Sequence, residues 1–137
     1  MTILLADCDT ARMEEMARRC KTLAPDAMVV RTNTPAEALE VTKTVRLDLA
    51  VLNPDCVGLE RIKRFHETFP KTELIFLIDP AGRTRAECNE AALTAYGMLA
   101  GMLLLPIDWE RFDCAIERSM AVVSDAYKRV CEKYHLG

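Results

Sequence analysis

The chain has 137 residues, of which half are hydrophobic and 28% charged, and its formal net charge is −3. That length suits one compact domain, and the composition excludes a disordered chain. The longest apolar stretch, Met98 to Pro106, falls far short of the ~20 residues a spanning helix needs, so no membrane segment is expected. An acidic balance gives no footing for nucleic acid as a direct partner.

No cationic N-terminal region leads into a long apolar run with a cleavage site, so a cytoplasmic location is expected. The six cysteines at 8, 20, 56, 88, 114 and 131 fit that setting. Cys20, Cys88, Cys114 and Cys131 sit in helical patterns, where thiols act as small apolar side chains.

Short apolar runs alternate with amphipathic segments along the chain. Ile3–Ala6 is the first run, followed by helical spacing at Met13, Met16, Ala17 and Cys20. Ala27–Val30 is the second, followed by a helix around Leu39 whose start is written in Thr34-Pro35-Ala36-Glu37: a capping threonine, a proline in the first turn and a glutamate at the capping-box position. Leu47–Leu52 precedes a helix marked by Leu59, Ile62, Phe65 and Phe69 and closed by Pro70. Leu74–Ile78 precedes one marked by Ala91, Ala92, Ala95 and Leu99. Met102–Leu105 precedes the last and longest amphipathic segment, which Asp108 is placed to cap.

Runs of four to six residues apolar on both faces are strands covered by helices on either side. The order is therefore (βα)5, an α/β three-layer, doubly wound, flavodoxin-like sandwich. Its five parallel strands are expected in the order 2-1-3-4-5. In such sheets ligands bind at the carboxyl ends of the strands, at the switch point between the first and third. That directs attention to Asp7-Cys8-Asp9, Asn53-Pro54-Asp55-Cys56, Ile78-Asp79-Pro80 and Leu105-Pro106.

These junctions resemble the receiver domain of bacterial two-component response regulators, over residues 1 to about 123. Ile3-Leu4-Leu5-Ala6-Asp7-Cys8-Asp9 is similar to the family's first strand, which ends in a pair of acidic residues that hold Mg²⁺. Asp48-Leu49-Ala50-Val51-Leu52-Asn53 is similar to the third strand, whose last residue is normally the phospho-accepting aspartate. Leu103-Leu104-Leu105-Pro106-Ile107-Asp108 is similar to the segment where a lysine precedes a proline, often through a cis bond. Ile78 stands where the family has a threonine or serine.

The departures point away from phosphoryl chemistry. Asn53 replaces the acceptor; an amide nitrogen is not a competent nucleophile towards phosphorus and adds no charge to hold a metal. Leu105 replaces the cation, Ile78 the hydroxyl, and Cys8 one of the acidic pair beside Asp7. Together these remove the electrostatic parts on which phosphoryl transfer relies, and indicate a pseudo-receiver. It is expected to be no enzyme and to need no cofactor. The acidic rim of Asp7, Asp9, Asp55, Asp79 and Asp108 shows no cation facing it and is expected to repel phosphate.

Three alternatives attach to the same residues. Asp55 could act as a substitute acceptor in an atypical receiver with Mg²⁺; a loop carboxylate in an Asx-type turn is the plainer expectation. Residual Mg²⁺ could sit on Asp7, Asp9 and Asp55, with the Asn53 oxygen assisting. Cys8 and Cys56 both fall at the switch point and could form a redox pair or part of a zinc site, but the expectation is unpaired thiols at the edge of the core. A flavodoxin-like enzyme or cofactor carrier is the further reading, weakened because Asp7 to Arg12 contains no glycine to cradle phosphate.

The last segment places Trp109, Phe112, Ile116, Met120, Val123, Tyr127, Val130 and Tyr134 at steps of three and four. Only about four turns can cover a sheet of this size, so residues 124–137 are expected to extend the helix beyond the 1–123 domain. An apolar stripe of that kind seeks a partner helix. A signalling module acting by protein–protein contact is therefore expected, with homodimerisation through the last helix. Its surface would lie on the fourth helix, fifth strand and fifth helix, with Tyr96, Met98, Trp109, Arg111 and Arg118 exposed on it.

Overall fold

The computed structural model describes residues 1–33, 46–81 and 101–134. The second helix, with its Thr34-Pro35 start, and the fourth, with Tyr96 and Met98, lie outside the described residues. The elements described are β1 (Thr2–Ala6), α1 (Thr10–Leu23), β2 (Met28–Thr32), β3 (Leu49–Leu52), α2 (Pro54–Val57), α3 (Leu59–Thr68), β4 (Glu73–Ile78), β5 (Gly101–Leu104) and α4 (Trp109–Tyr134). The five strands form one parallel sheet in the order β2-β1-β3-β4-β5.

Alternation along each strand divides the core into two layers. Ile3, Leu5, Val51, Ile75, Leu77 and Leu103 face α1 and α4, where they meet Met13, Met16, Cys20, Phe112 and Ile116. Leu4, Ala6, Ala50, Leu52, Leu74, Phe76 and Ile78 face the other way and meet Val57, Ile62 and Phe65. The three central strands are thus buried on both faces, as their unbroken apolar runs require. The edge strands differ from that expectation: Met28 on β2 and Met102 and Leu104 on β5 are exposed.

One element was not foreseen. The segment after β3, expected to be the loop that carries Asp55, is the one-turn helix α2 with Asn53 as its N-cap and Pro54 at its first position. Gly58 then takes φ 92°, a left-handed turn that L side chains avoid, and accepts from the Ile62 N–H at 3.1 Å as α3 begins.

The capping expectation for Asp108 holds. Its Oδ1 accepts from the Glu110 and Arg111 N–H groups at 3.1 and 3.4 Å. From there α4 runs 26 residues, about 39 Å at 1.5 Å per residue. Phe112, Ile116 and Ser119 are buried and Val122 is exposed.

Candidate functional site

Parallel pairing of β1 with β2 and β3 sets Ala6 opposite Thr32 and Leu52, and both pairings continue one step further. The Asp7 N–H donates to the Thr32 carbonyl at 3.2 Å, and the Asn53 N–H to the Ala6 carbonyl at 2.9 Å. Asp7 and Asn53 are thereby fixed side by side at the switch point, only 1% and 4% exposed. Buried polar groups of this kind must find partners, and both do.

Both halves of the Asn53 amide are engaged. Its Nδ2 donates to Asp7 Oδ1 at 3.1 Å, while its Oδ1 accepts from the Asp55 N–H at 3.0 Å and caps α2. The Asx-type role expected of Asp55 therefore belongs to Asn53. Asp55 itself is exposed on the first turn of α2.

The cation that the sequence reading did not find is Arg12. Asp9 caps α1 by accepting from the Arg12 N–H at 2.9 Å, which puts Arg12 in the first turn. Helical side chains lean toward the N-terminus, and this one reaches back to Asp7. Its Nε donates to Asp7 Oδ2 at 2.5 Å and its Nη2 to Oδ1 at 2.8 Å, a bidentate fork. Its Nη1 also lies 3.5 Å from Asp9 Oδ2. The hydrogen bonds to Asp7 raise the guanidinium above its ordinary value, assisted by the charges of Asp7, Asp9 and, at longer range, Asp79. The expectation of an acidic mouth without a facing cation is corrected: the buried carboxylate at its centre is neutralised from within the chain.

Asp7 Oδ1 accepts in addition from the Asp9 N–H at 3.2 Å. The lone pairs that a divalent cation would need on Asp7 are occupied by a guanidinium, and the Asn53 oxygen is turned into α2. Among the described residues no group of three or more His, Cys, Asp or Glu is arranged to hold a metal. The candidate set Asp7, Asp9 and Asp55 is not brought together as a ligand shell, and the residues present do not fit Mg²⁺, which asks for near-octahedral oxygen donors and negative charge.

The other two positions singled out in the sequence, Ile78 and Leu105, lie at the ends of β4 and β5. Ile78 is 1% and Leu105 8% exposed. The Leu105 N–H donates to the Ile78 carbonyl at 2.8 Å, and the Leu105–Pro106 bond is cis. Both side chains belong to the hydrophobic core clusters and bring no donor or charge to the mouth. Asp79 accepts from the Ala81 N–H at 2.9 Å.

Cys8 and Cys56 are joined as a disulfide with Cα atoms 5.8 Å apart. This overturns the expectation that they are unpaired thiols. The physical reason is that the α2 turn, missed in the sequence, folds Cys56 back toward the end of β1. Cys20 and Cys114 are free, and burial pushes the Cys20 thiol up to about 12.

On the expected interaction surface, Arg111 and Arg118 are exposed, with Arg111 Nε 3.7 Å from Asp108 Oδ2. Trp109 differs from expectation. It is half-buried, edge-on to Phe112 at 5.5 Å and covered by the Arg19 guanidinium at 4.9 Å from the ring centroid. Since Arg19 also pairs with Asp113 at 2.9 Å, Trp109 serves the α1–α4 contact. Val123 is half-buried, while the side chains of Tyr127, Val130 and Tyr134 lie outside the described residues. Among the described residues no helix is long and apolar enough to cross a membrane.

No protein-family model matches the sequence, and no curated protein matches it either. Solved structures do match. A signal receiver domain of a DNA-binding response regulator from Colwellia psychrerythraea superposes with TM-score 0.75 at 15% identity, covering 88% of this chain and 98% of that one. A response regulator receiver domain from Clostridium thermocellum gives 0.70 at 15% identity, over 88% and 94%. A receiver-modulated diguanylate cyclase from Pelobacter carbinolicus gives 0.70 at 20% identity, over 93% and 97%. Sheet order, switch-point site and these superpositions agree: the chain has the fold of a response regulator receiver domain.

Proposed function

We propose that this protein is a receiver-fold signalling module that works by protein–protein contact and does not accept a phosphoryl group. The observation that carries this reading is the fork of Arg12 on Asp7. Phosphoryl transfer on a carboxylate needs a nucleophilic oxygen and positive charge aimed at the transferring group. Among the described residues the cation that reaches Asp7 is Arg12, and it is spent on that carboxylate. Asn53, at the acceptor position, offers an amide whose oxygen caps α2, and Ile78 and Leu105, buried in the two core layers, bring no donor or charge. The buried pair Asp7 and Asn53 is thus matched in charge and hydrogen bonding, which suits a fixed scaffold.

Contact surfaces are then what remains to act. The reading places the module in the cytoplasm and assigns partner binding to the face of the fifth strand and last helix, with Arg111 and Arg118. Self-association would run through the extension of α4, where the sequence sets Val123, Tyr127, Val130 and Tyr134 at steps of three and four.

Incubation with a small acyl phosphate and Mg²⁺ followed by intact-mass measurement tests the first part. The expected result is an unchanged mass; an added phosphoryl group that disappears in Asp55→Ala would establish an atypical receiver instead. Light scattering tests the second. A dimer for the whole chain and a monomer for a chain ending at Val123 are expected, and two monomers at high concentration would overturn it.

A further inference from the structure

The disulfide lies at the switch point, between the two loops that carry the site. Cys8 follows Asp7 directly and is exposed, whereas Cys56 is half-buried in α2, three residues beyond Asn53. Their Cα separation of 5.8 Å falls at the centre of the range disulfides occupy without backbone movement. The pairing is supported by the surrounding backbone: the Cys8 N–H points at Cys56 Sγ, 3.1 Å away, a donor that favours a thiolate there when the bond is open. Cys56 Sγ also lies 3.9 Å from Asp7 Oδ1, and Arg12 neutralises that carboxylate, so a thiolate at Cys56 does not face an uncompensated charge.

We propose that Cys8 and Cys56 form a reversible thiol–disulfide exchange site whose substrates are low-molecular-weight thiols and disulfides. Cys8, the exposed member, reacts first. Its thiolate attacks one sulfur of an external disulfide RSSR, forming a Cys8–SR mixed disulfide and releasing RS⁻. The Cys56 thiol gives its proton to solvent base, and its thiolate attacks Cys8 Sγ, forming the internal bond and releasing a second RS⁻. Two protein thiols are oxidised by two electrons, and one RSSR is reduced to two thiols once the released thiolates take up protons. The reverse sequence begins with attack of an external thiolate on the exposed Cys8 sulfur. Closing the bond ties the loop after β1 to α2; opening it removes that tether and leaves the Asn53 cap and the packing of Val57 in the core.

The experiment equilibrates the full chain in buffers of graded reduced and oxidised glutathione. Samples are quenched with acid, alkylated and mapped by peptide mass, with circular dichroism confirming the fold at each point. The expected result is that Cys8 and Cys56 pass together from alkylated to cross-linked. Their ratio should follow the square of the reduced glutathione concentration over the oxidised, and Cys8→Ser should remove the cross-link and leave Cys56 open to alkylation. Amide exchange across residues 54–58 should speed up about tenfold on opening, as expected when a cooperative local unit loses its tether. If both cysteines stay alkylated at every ratio in folded protein, there is no exchange site. If the cross-link persists in fully reduced glutathione, the bond is a permanent structural one and the proposal is equally overturned.

Discussion

The guanidinium of Arg12 holds both carboxylate oxygens of Asp7, with Nε at 2.5 Å from one and Nη2 at 2.8 Å from the other. The Asp7 side chain is fully buried and that of Arg12 is 21% exposed. Such a pair gains little net stability when intact, but removing one partner leaves a buried charge without compensation. Arg12→Ala is expected to lower unfolding stability by about 3 kcal/mol in denaturant titrations. Arg12→Lys, which keeps the charge and loses the fork, should cost about 1 kcal/mol. A stability for Arg12→Ala within experimental error of the wild type would show that Asp7 does not depend on this cation.

Asn53 is held as donor to Asp7 and acceptor from the Asp55 N–H. Asn53→Ser keeps a capping oxygen and loses the donor, at a cost of about 1 kcal/mol. Asn53→Asp keeps the cap but sets a second carboxylate oxygen where a donor stood 3.1 Å from Asp7 Oδ1, and like charges at that range oppose each other. At neutral pH the aspartate variant should therefore be the less stable of the two in urea, although it restores the residue type that the receiver resemblance places there. The reverse order would mean that Arg12 has capacity for both carboxylates.

How far the sequence carried this reading is clearest at these residues. The strands were legible because Leu4 and Leu5, or Ile75 and Phe76, are adjacent apolar residues facing opposite layers, a pattern that a doubly covered parallel sheet requires. Asp7 and Asn53 could be placed at the switch point for the same reason. Arg12 was missed although its signal is present: Asp9 as N-cap makes Arg12 a first-turn residue, and a first-turn side chain leans back toward the strand end. The α2 turn was signalled by Asn53-Pro54, a capping residue followed by the residue favoured at the first helical position. The state of Cys8 and Cys56 depended on that turn, and no spacing along the chain supplies it.

Glu15 offers a pH-dependent test of the α1 surface. Hydrogen bonds from Arg18 and then Arg19 hold its carboxyl at about 2, below the ordinary 4.5. A lowered folded-state value means that the stabilisation is fully present above about 4.5 and is lost as the pH falls through about 2. Because the group is open to solvent, the contribution is small. A carbon-detected titration of the Glu15 carboxyl should place its midpoint well below that of a free glutamate, and Glu15→Gln should flatten the acid limb of the stability curve slightly. An ordinary midpoint would show that the two arginines do not hold it in solution.

The claim on which the functional reading rests is that Arg12 takes the place of a metal ion, and amide NMR during a Mg²⁺ titration tests it most directly. The wild-type protein should show no saturable shifts at Asp7, Asp9, Asn53 or Asp55 up to millimolar Mg²⁺, while Arg12→Ala, with Asp7 freed, should show weak ones. Saturable shifts at Asp7 and Asn53 in the wild type, with displacement of the Arg12 side-chain signal, would contradict the account.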